Sequence, residues 1–526
     1  MTPVFSDLTV HLRTDRSITQ FMQENVSNTN PLKIICEDTL TGTIATYGSL
    51  REDALRAAHS LRYKYNLRAD DVVSIISRSC VGYIIAAHAI WAAGGVVSTI
   101  NHSSTADEIA HAIQVIKPKI FIVDAFVKTK LDAAMKLLGA DLYNNCQVIT
   151  MVSRVRAYPL FPDDLITKTH RIEHEAYVLD GKDARKACAA IVLSSGTTGS
   201  PKAVMLSHHN LVAICEQLRA HNTDNWRGSM KEIFFPLMQE KQATLARIVP
   251  TIALALAESK IVSKYTYTDL EYFSCAAAPL KPFVAEKLRN KFPGVSLCQT
   301  YGCTELSSCV SQSGVRDTNA SLVATGTLLA NIGIRFVNEQ LQDVPPHHPG
   351  EICVSSPTIM MGYKDNEVAT RESMLEPGWY RTGDIGYLDA MGYLNVVDRI
   401  KDVIKNLHVY VLLANDKQLF RFQVSPTELE DIIGQHPHVD DSAVTSIWDD
   451  SEATEIPRAF VVPVSSMRIS DHKQLAKEIQ DLVISKAAGY KRLRGGVKFV
   501  GKLPRNATGK LLRRQLRDEV TPRAKI

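Results

Sequence analysis

Ile191-Val192-Leu193-Ser194-Ser195-Gly196-Thr197-Thr198-Gly199-Ser200-Pro201-Lys202 is the stretch that decides the reading of this chain. Three apolar residues make the end of a buried strand. The strand runs into a loop of hydroxyls and glycines that closes on a lysine. Glycine lets backbone N–H groups come close to a polyphosphate, hydroxyls donate to its oxygens, and lysine adds a point charge. The loop is not a Walker P-loop. That motif needs G-x-x-x-x-G-K-[ST], and no Gly-Lys in this chain is followed by Ser or Thr.

Outward from this loop the pattern is α/β. Short apolar runs such as Val72-Val73-Ser74-Ile75-Ile76 and Ile120-Phe121-Ile122-Val123 alternate with helical periodicity. Leu211, Ile214, Cys215 and Leu218 form a helical stripe with Ser207 as its N-cap. Val81 to Ile100 has the length of a membrane span. His88 in its middle and Gly94-Gly95 near its end make it instead a buried helix, a glycine turn and the strand Val96-Val97-Ser98-Thr99. Composition changes after Asp398-Arg399. This predicts a large N-terminal domain, 1–398, and a small α+β C-terminal domain, 399–526.

Whole-chain numbers fit a folded protein of more than one domain. There are 526 residues, 45% hydrophobic and 22% charged. Sixty Lys and Arg against 56 Asp and Glu give a net charge of +4, too balanced to predict a nucleic-acid partner. Ten scattered Cys without a C-x-x-C pair argue against a zinc site or a disulfide framework and fit a reducing compartment. The start carries no apolar signal segment. The final Ala524-Lys525-Ile526 is a conservative variant of Ser-Lys-Leu and predicts a peroxisomal address read by its import receptor, with a cytoplasmic location as the alternative.

Four further strings carry chemistry. Gln299-Thr300-Tyr301-Gly302-Cys303-Thr304-Glu305 ends a strand with an aromatic, a glycine turn, a hydroxyl and a carboxylate. Trp379-Tyr380-Arg381-Thr382-Gly383-Asp384 places an Asp after a glycine, suited to ribose hydroxyls. Asp398-Arg399-Ile400-Lys401-Asp402-Val403-Ile404-Lys405 is a charged strand-turn at the domain boundary, and Pro504-Arg505-Asn506-Ala507-Thr508-Gly509-Lys510 presents a lysine. Singly each reads as a solvated turn. In this order and spacing the set resembles the adenylate-forming superfamily of acyl-CoA synthetases, luciferases and peptide-synthetase adenylation domains, and 4-coumarate–CoA ligase-like enzymes in particular. Cys275-Ala276-Ala277-Ala278-Pro279-Leu280, Pro349-Gly350-Glu351-Ile352 and Met361-Gly362-Tyr363 support it.

The resemblance implies an α/β N-terminal domain of packed sheets with a small C-terminal domain on a hinge at Lys401. It implies an ATP-dependent acyl-CoA ligase with a carboxylic acid, ATP, Mg²⁺ and CoA as its small-molecule partners. Ser194, Ser195, Gly196, Thr197, Thr198, Gly199 and Lys202 would wrap the β- and γ-phosphates. Tyr301 would lie near the adenine, Thr304 would touch the α-phosphate, and Glu305 would hold Mg²⁺. Asp384 and Arg399 would bind the ribose, Lys405 and Gln423 would lie near the nucleotide, and Lys510 would be the catalytic lysine. A stand-alone adenylation enzyme with another acceptor, and a non-catalytic adenylate-binding remnant, are the alternative readings.

Two departures stand out. The interval from Lys202 to Glu305 is about 35 residues shorter than the family's, and the shortage falls after Phe234-Phe235-Pro236. Asn406 to Arg421 adds about 13 residues before Phe422-Gln423-Val424-Ser425-Pro426, with Arg421 where the family has Gly. A skipped exon and a translated intron would explain both, and genuine divergence with a remodelled pocket is the alternative. The expectation is a gapped sheet beside Phe234–Met238 and an irregular excursion over 406–421.

Overall fold

The computed structural model describes residues 3–38, 42–139, 146–166, 176–179, 181–194, 201–221, 243–259, 262–265, 267–314, 324–402, 404–413, 416–449, 454–465, 468–505 and 511–518. For 405–413 and 416–423, and for positions 251, 263, 469, 490 and 514, it describes the backbone alone. Phe234–Met238, where a gapped sheet was expected, lies outside the described residues, as does Ala524–Ile526.

An eight-stranded sheet organises the first half of the chain. Its spatial order is Gly362–Tyr363, Lys202–Ser207, Cys188–Ser194, Val96–Thr99, Val72–Ile76, Ile120–Asp124, Gln147–Met151 and Leu160–Phe161. The strands from Cys188–Ser194 to Leu160–Phe161 pair in parallel, and the two at the other end are antiparallel. Alternation along Ile120-Phe121-Ile122-Val123 shows why both faces are covered. Ile120 and Ile122 join a core with Leu61, Ile85 and Ile90, whereas Phe121 and Val123 join one with Ile109, Ile113 and Leu131. Two of the covering helices start at side-chain caps. Thr46 and Ser49 form one capping box, and Thr105 and Glu108 form another.

The run from Val81 behaves as expected. Val81–Ala92 is a helix, Gly94 turns the chain at φ 86°, and Val96–Thr99 is a strand. A Cβ on Gly94 would meet the Tyr177 ring at 2.8 Å, so glycine is needed there for space as well as for φ. Among the described residues no helix is long and apolar enough to cross a membrane. Among the described residues no disulfide joins any two cysteines.

The helix His208–His221 begins as expected, with Ser207 and Asn210 bonded reciprocally at its N-terminus. Its buried face is more polar than the sequence suggested. Asn210 reaches the carbonyls of Pro357 and Ile359, Gln217 reaches that of Ala330, and His208 Nδ1 accepts from the Ile18 amide at 3.3 Å. Cys215, expected on the buried stripe, is exposed.

A second sheet of five strands holds Leu245–Ile248, Tyr272–Cys275 and Ser296–Cys303 in parallel, then Ser308–Gln312 and Thr327–Leu328 antiparallel. A third, antiparallel sheet contains Gly333–Val337, Gly350–Ser355, Trp379–Leu388 and Leu394–Arg399. Beyond Arg399 lies a small α+β unit. Its sheet is Val439–Asp449, Thr454–Pro463 and Val497–Phe499, packed by the helices Pro426–Gly434 and His472–Lys486 around Leu429, Ile433, Leu475 and Ile479.

The expectation of an irregular excursion over 406–421 is corrected. Ile404–Leu413 and Asp416–Val424 pair antiparallel from Ile404↔Val424 to Leu413↔Asp416, with one register shift between Leu407 and Tyr410. The added residues lengthen a hairpin. Val409, Tyr410, Val411, Phe420 and Phe422 are residues that suit extended backbone.

Candidate active site

Strands Cys188–Ser194 and Lys202–Ser207 are neighbours, and Ser194 faces Lys202 across the pair. The phosphate-loop candidates between them, Ser195 to Gly199, lie outside the described residues. The two ends of the loop are placed. Ser194 Oγ is buried with no hydrogen-bond partner among the described residues, a polar atom that a bound phosphate oxygen would satisfy. Lys202 extends over the Tyr363 ring, with Nζ 4.7 Å from the centroid.

Glu305 stands at the tip of the turn between Ser296–Cys303 and Ser308–Gln312, in the short helical turn Thr304–Leu306. Gly302 makes the turn this tight. A Cβ there would lie 1.8 Å from the Ser308 carbonyl oxygen, so no other residue fits. The Tyr363 hydroxyl donates to Glu305 Oε1 at 3.1 Å, and the Met360 amide donates to the Glu305 carbonyl at 2.8 Å. The Tyr380 phenol neighbours that of Tyr363. Burial, and then the Glu305 charge, push Tyr363 upward; burial, Cys303 and Glu305 do the same for Tyr380, so both phenols stay protonated at neutral pH.

The ribose candidates form a second group. Asp384 and Arg399 face each other across paired strands, and Arg399 Nε lies 3.0 Å from Asp384 Oδ1. The Tyr301 hydroxyl donates to Asp384 Oδ2 at 2.8 Å. Burial first, then the Asp384 charge, raise the Tyr301 pKa and keep it a donor. Gly383, at φ 71°, bends the strand just before the carboxylate, and Thr382 Oγ1 accepts from the Asp384 amide. Two carboxylate oxygens offer about four acceptor positions, and Tyr301 and Arg399 are among the partners of Asp384.

Lys401 joins the two groups electrostatically. Partial desolvation, then the Lys202 and Arg399 cations, lower its ammonium pKa. Three positive side chains therefore converge where a polyanion would lie. The neighbouring Asp398 ties the small unit to the large one. It accepts from Ser425 Oγ at 2.6 Å and from the Thr427 amide at 3.2 Å, at the start of the helix Pro426–Gly434. Arg513 adds paired contacts to Glu430 at 2.8 and 2.9 Å and reaches Asp402 at 3.5 Å.

The backbones of Lys405 and Gln423 pair with each other, and their side chains lie outside the described set. Lys510 also lies outside it; the described residues on either side, Arg505 and Leu511, are bridged. Thr304 follows the strand bearing Tyr301 and is half-buried. The sequence reading gave no role to Tyr363 or Tyr380. Both stood in quoted strings, but only the pairing of Val204 with Tyr363 reveals their place.

Comparison with known proteins agrees with this geometry. The family model described as AMP-binding enzyme matches residues 23–235 and again 223–364, and its C-terminal domain model matches 428–510. The first model thus matches in two pieces that meet beside the shortened stretch. 4-Coumarate–CoA ligase-like 9 of Oryza sativa subsp. japonica is 30% identical, over 92% of this chain and 89% of that relative. 4-Coumarate–CoA ligase-like 1 of Arabidopsis thaliana is also 30% identical, over 92% and 90%. The solved anthranilate CoA ligase AuaEII in complex with anthranoyl-AMP shares the fold, with a TM-score of 0.81 at 20% identity over 97% of this chain and 98% of that one. The chain belongs to the AMP-binding enzyme family and is an ATP-dependent, acyl-adenylate-forming ligase of the 4-coumarate–CoA ligase-like group.

Proposed function

We propose that this ligase activates a carboxylic acid with ATP and passes the acyl group to CoA, releasing pyrophosphate and then AMP. The observation that carries the reading is the pair of pre-formed polar groups: Lys202 and Glu305 joined through Tyr363, and Asp384 held between Tyr301 and Arg399. The CoA-ligase names of the relatives support the choice of acceptor.

A carboxylate is a weak nucleophile facing an anionic triphosphate. Attack on the α-phosphorus gathers negative charge that fixed cations stabilise more in the transition state than in the ground state. Lys202 would take part of the charge on the pyrophosphate side, Lys510 would stand nearest the transferring phosphoryl group, and Asp384 would fix the ribose. Among the described residues no three His, Cys, Asp or Glu cluster to hold a metal alone. A single carboxylate completed by substrate phosphates is a donor set that suits Mg²⁺, and Glu305 would provide it. Bound there, Mg²⁺ would supply charge neutralisation on the phosphate oxygens. In the second half, the thiol attacks the acyl carbon of the mixed anhydride, and AMP leaves with the bonding electron pair. The two halves call for different groups around one centre, which motivates a hinge at Lys401.

Acid-dependent exchange of labelled pyrophosphate into ATP tests the first half, with a panel of aromatic and medium-chain acids to identify the substrate. AMP and an acyl-CoA are the expected products. ADP formation would sink the reading. Exchange without CoA-dependent release of AMP would move the acyl group to another acceptor.

A further inference from the structure

We infer that Tyr363 is a positioning residue for adenylation, holding the phosphate-side lysine with its ring and the metal-side carboxylate with its hydroxyl. The inference rests on the adenylate-forming reading and assigns a job to a side chain which that reading does not use.

The two-residue strand Gly362–Tyr363 lies antiparallel to Lys202–Ser207, with Val204 opposite Tyr363. Side chains alternate along a strand, so Lys202, two residues before Val204, emerges on the same face as Tyr363. This brings the ammonium to 4.7 Å from the ring centroid, within the range of cation–π attraction. The other end of the same side chain donates to Glu305 Oε1 at 3.1 Å. Thus one phenol links residues that are 103 positions apart in sequence and sit on two different sheets.

Tyr363 is itself held firmly. It is 8% exposed, and its amide donates to Thr370 Oγ1 at 2.9 Å. Gly362 has φ 142°, and a Cβ there would meet Thr370 Cγ2 at 2.9 Å, so the backbone before the tyrosine is committed as well. The Met360 amide grips the Glu305 carbonyl, so the segment 360–363 holds both the main chain and the carboxylate of Glu305. Lys and Glu are long side chains with much rotamer freedom. Ordering them before the nucleotide arrives is preorganisation, and a buried tyrosine bonded at both ends provides it.

Ring and hydroxyl act on different partners, so two substitutions separate them. ATP binding is measured by calorimetry across a series of Mg²⁺ concentrations, and urea unfolding checks the fold of each variant. Tyr363→Phe keeps the ring. It should leave metal-free ATP affinity within about twofold of the parent and reduce the affinity gained on adding Mg²⁺ about 3- to 10-fold, the range of one ordinary hydrogen bond. Tyr363→Leu should also weaken metal-free ATP binding, because Lys202 loses its platform. Unchanged Mg²⁺ dependence in a folded Tyr363→Phe variant overturns the proposal, as does equal behaviour of the two variants. If Tyr363→Leu does not fold, the Mg²⁺ dependence of Tyr363→Phe decides alone. A parent chain that binds ATP but makes ADP rejects the adenylation reading and not the geometry, so the two failures are distinguishable.

Discussion

The eight-stranded and five-stranded sheets share a parallel core, yet they meet the shortened stretch differently. The first places Val72–Ile76 and Ile120–Asp124 between neighbours, with an apolar core on each face. The second ends, among the described residues, at Leu245–Ile248, the first strand after the shortage. Lys202 belongs to the first sheet. Tyr301 and Glu305 belong to the second, but on and just beyond Ser296–Cys303, two strands in from that end. Among the described residues the nucleotide groups thus stand away from that end of the sheet, while the strand nearest the shortage has a pairing partner on one side only. An edge strand is a liability for assembly and folding. Nucleotide binding and acid-dependent turnover should separate in this chain.

The largest effect expected is that of Lys510→Ala in a chain with a family-length segment restored after Pro236. Loss of one transition-state donor costs about 10²–10³-fold in rate, so exchange should fall by that much while thioester formation from pre-made acyl-adenylate survives. Equal loss in both halves removes Lys510 from its assigned role. Restoration itself comes next. It should raise soluble yield and speed acid-dependent exchange at least tenfold (about 1.4 kcal/mol in the barrier), with ATP affinity nearly unchanged. Equal yield and turnover in the two lengths would show that the short form is a genuine design and would erase the contrast between the sheets.

Asp384→Ala should weaken ATP binding in both lengths alike. It removes an acceptor from Tyr301 and Arg399 together and should lower unfolding free energy by about 1.5–3 kcal/mol, the scale of a charge-assisted hydrogen bond. A length-dependent effect would mean that the two regions communicate. A further effect concerns pH. Burial lowers His208 to about 4, and its Nδ1 accepts from Ile18 only when unprotonated. The unfolded chain takes up that proton near pH 6.5 and the folded chain does not, so stability present above pH 6.5 is lost as pH falls towards 4. His208→Gln should flatten that part of the urea-midpoint profile. An unchanged slope would place the acid sensitivity elsewhere.

Local motifs were legible because their chemistry is contiguous. Ser194 to Lys202, Tyr301 to Glu305 and the Asp384–Arg399 strand pair each lie within a short span or one hairpin. Tyr363 was not legible, because its meaning comes from a strand pairing with a segment about 160 residues earlier. The polar face of His208–His221 was not legible for the same reason: Gln217 and Asn210 donate to carbonyls at 330, 357 and 359. The hairpin over 404–424 was misread although its Val, Tyr, Leu and Phe content suits strands.

Gly302 bears on how this protein should be engineered. With a main-chain oxygen in the volume of any Cβ, a saturation library across 299–306 will return an empty column at 302 whatever acid is used for selection. That column reports steric exclusion and carries no information about substrate choice. Efforts to retarget the enzyme should hold position 302 fixed and spend their diversity on neighbours whose side chains have somewhere to go.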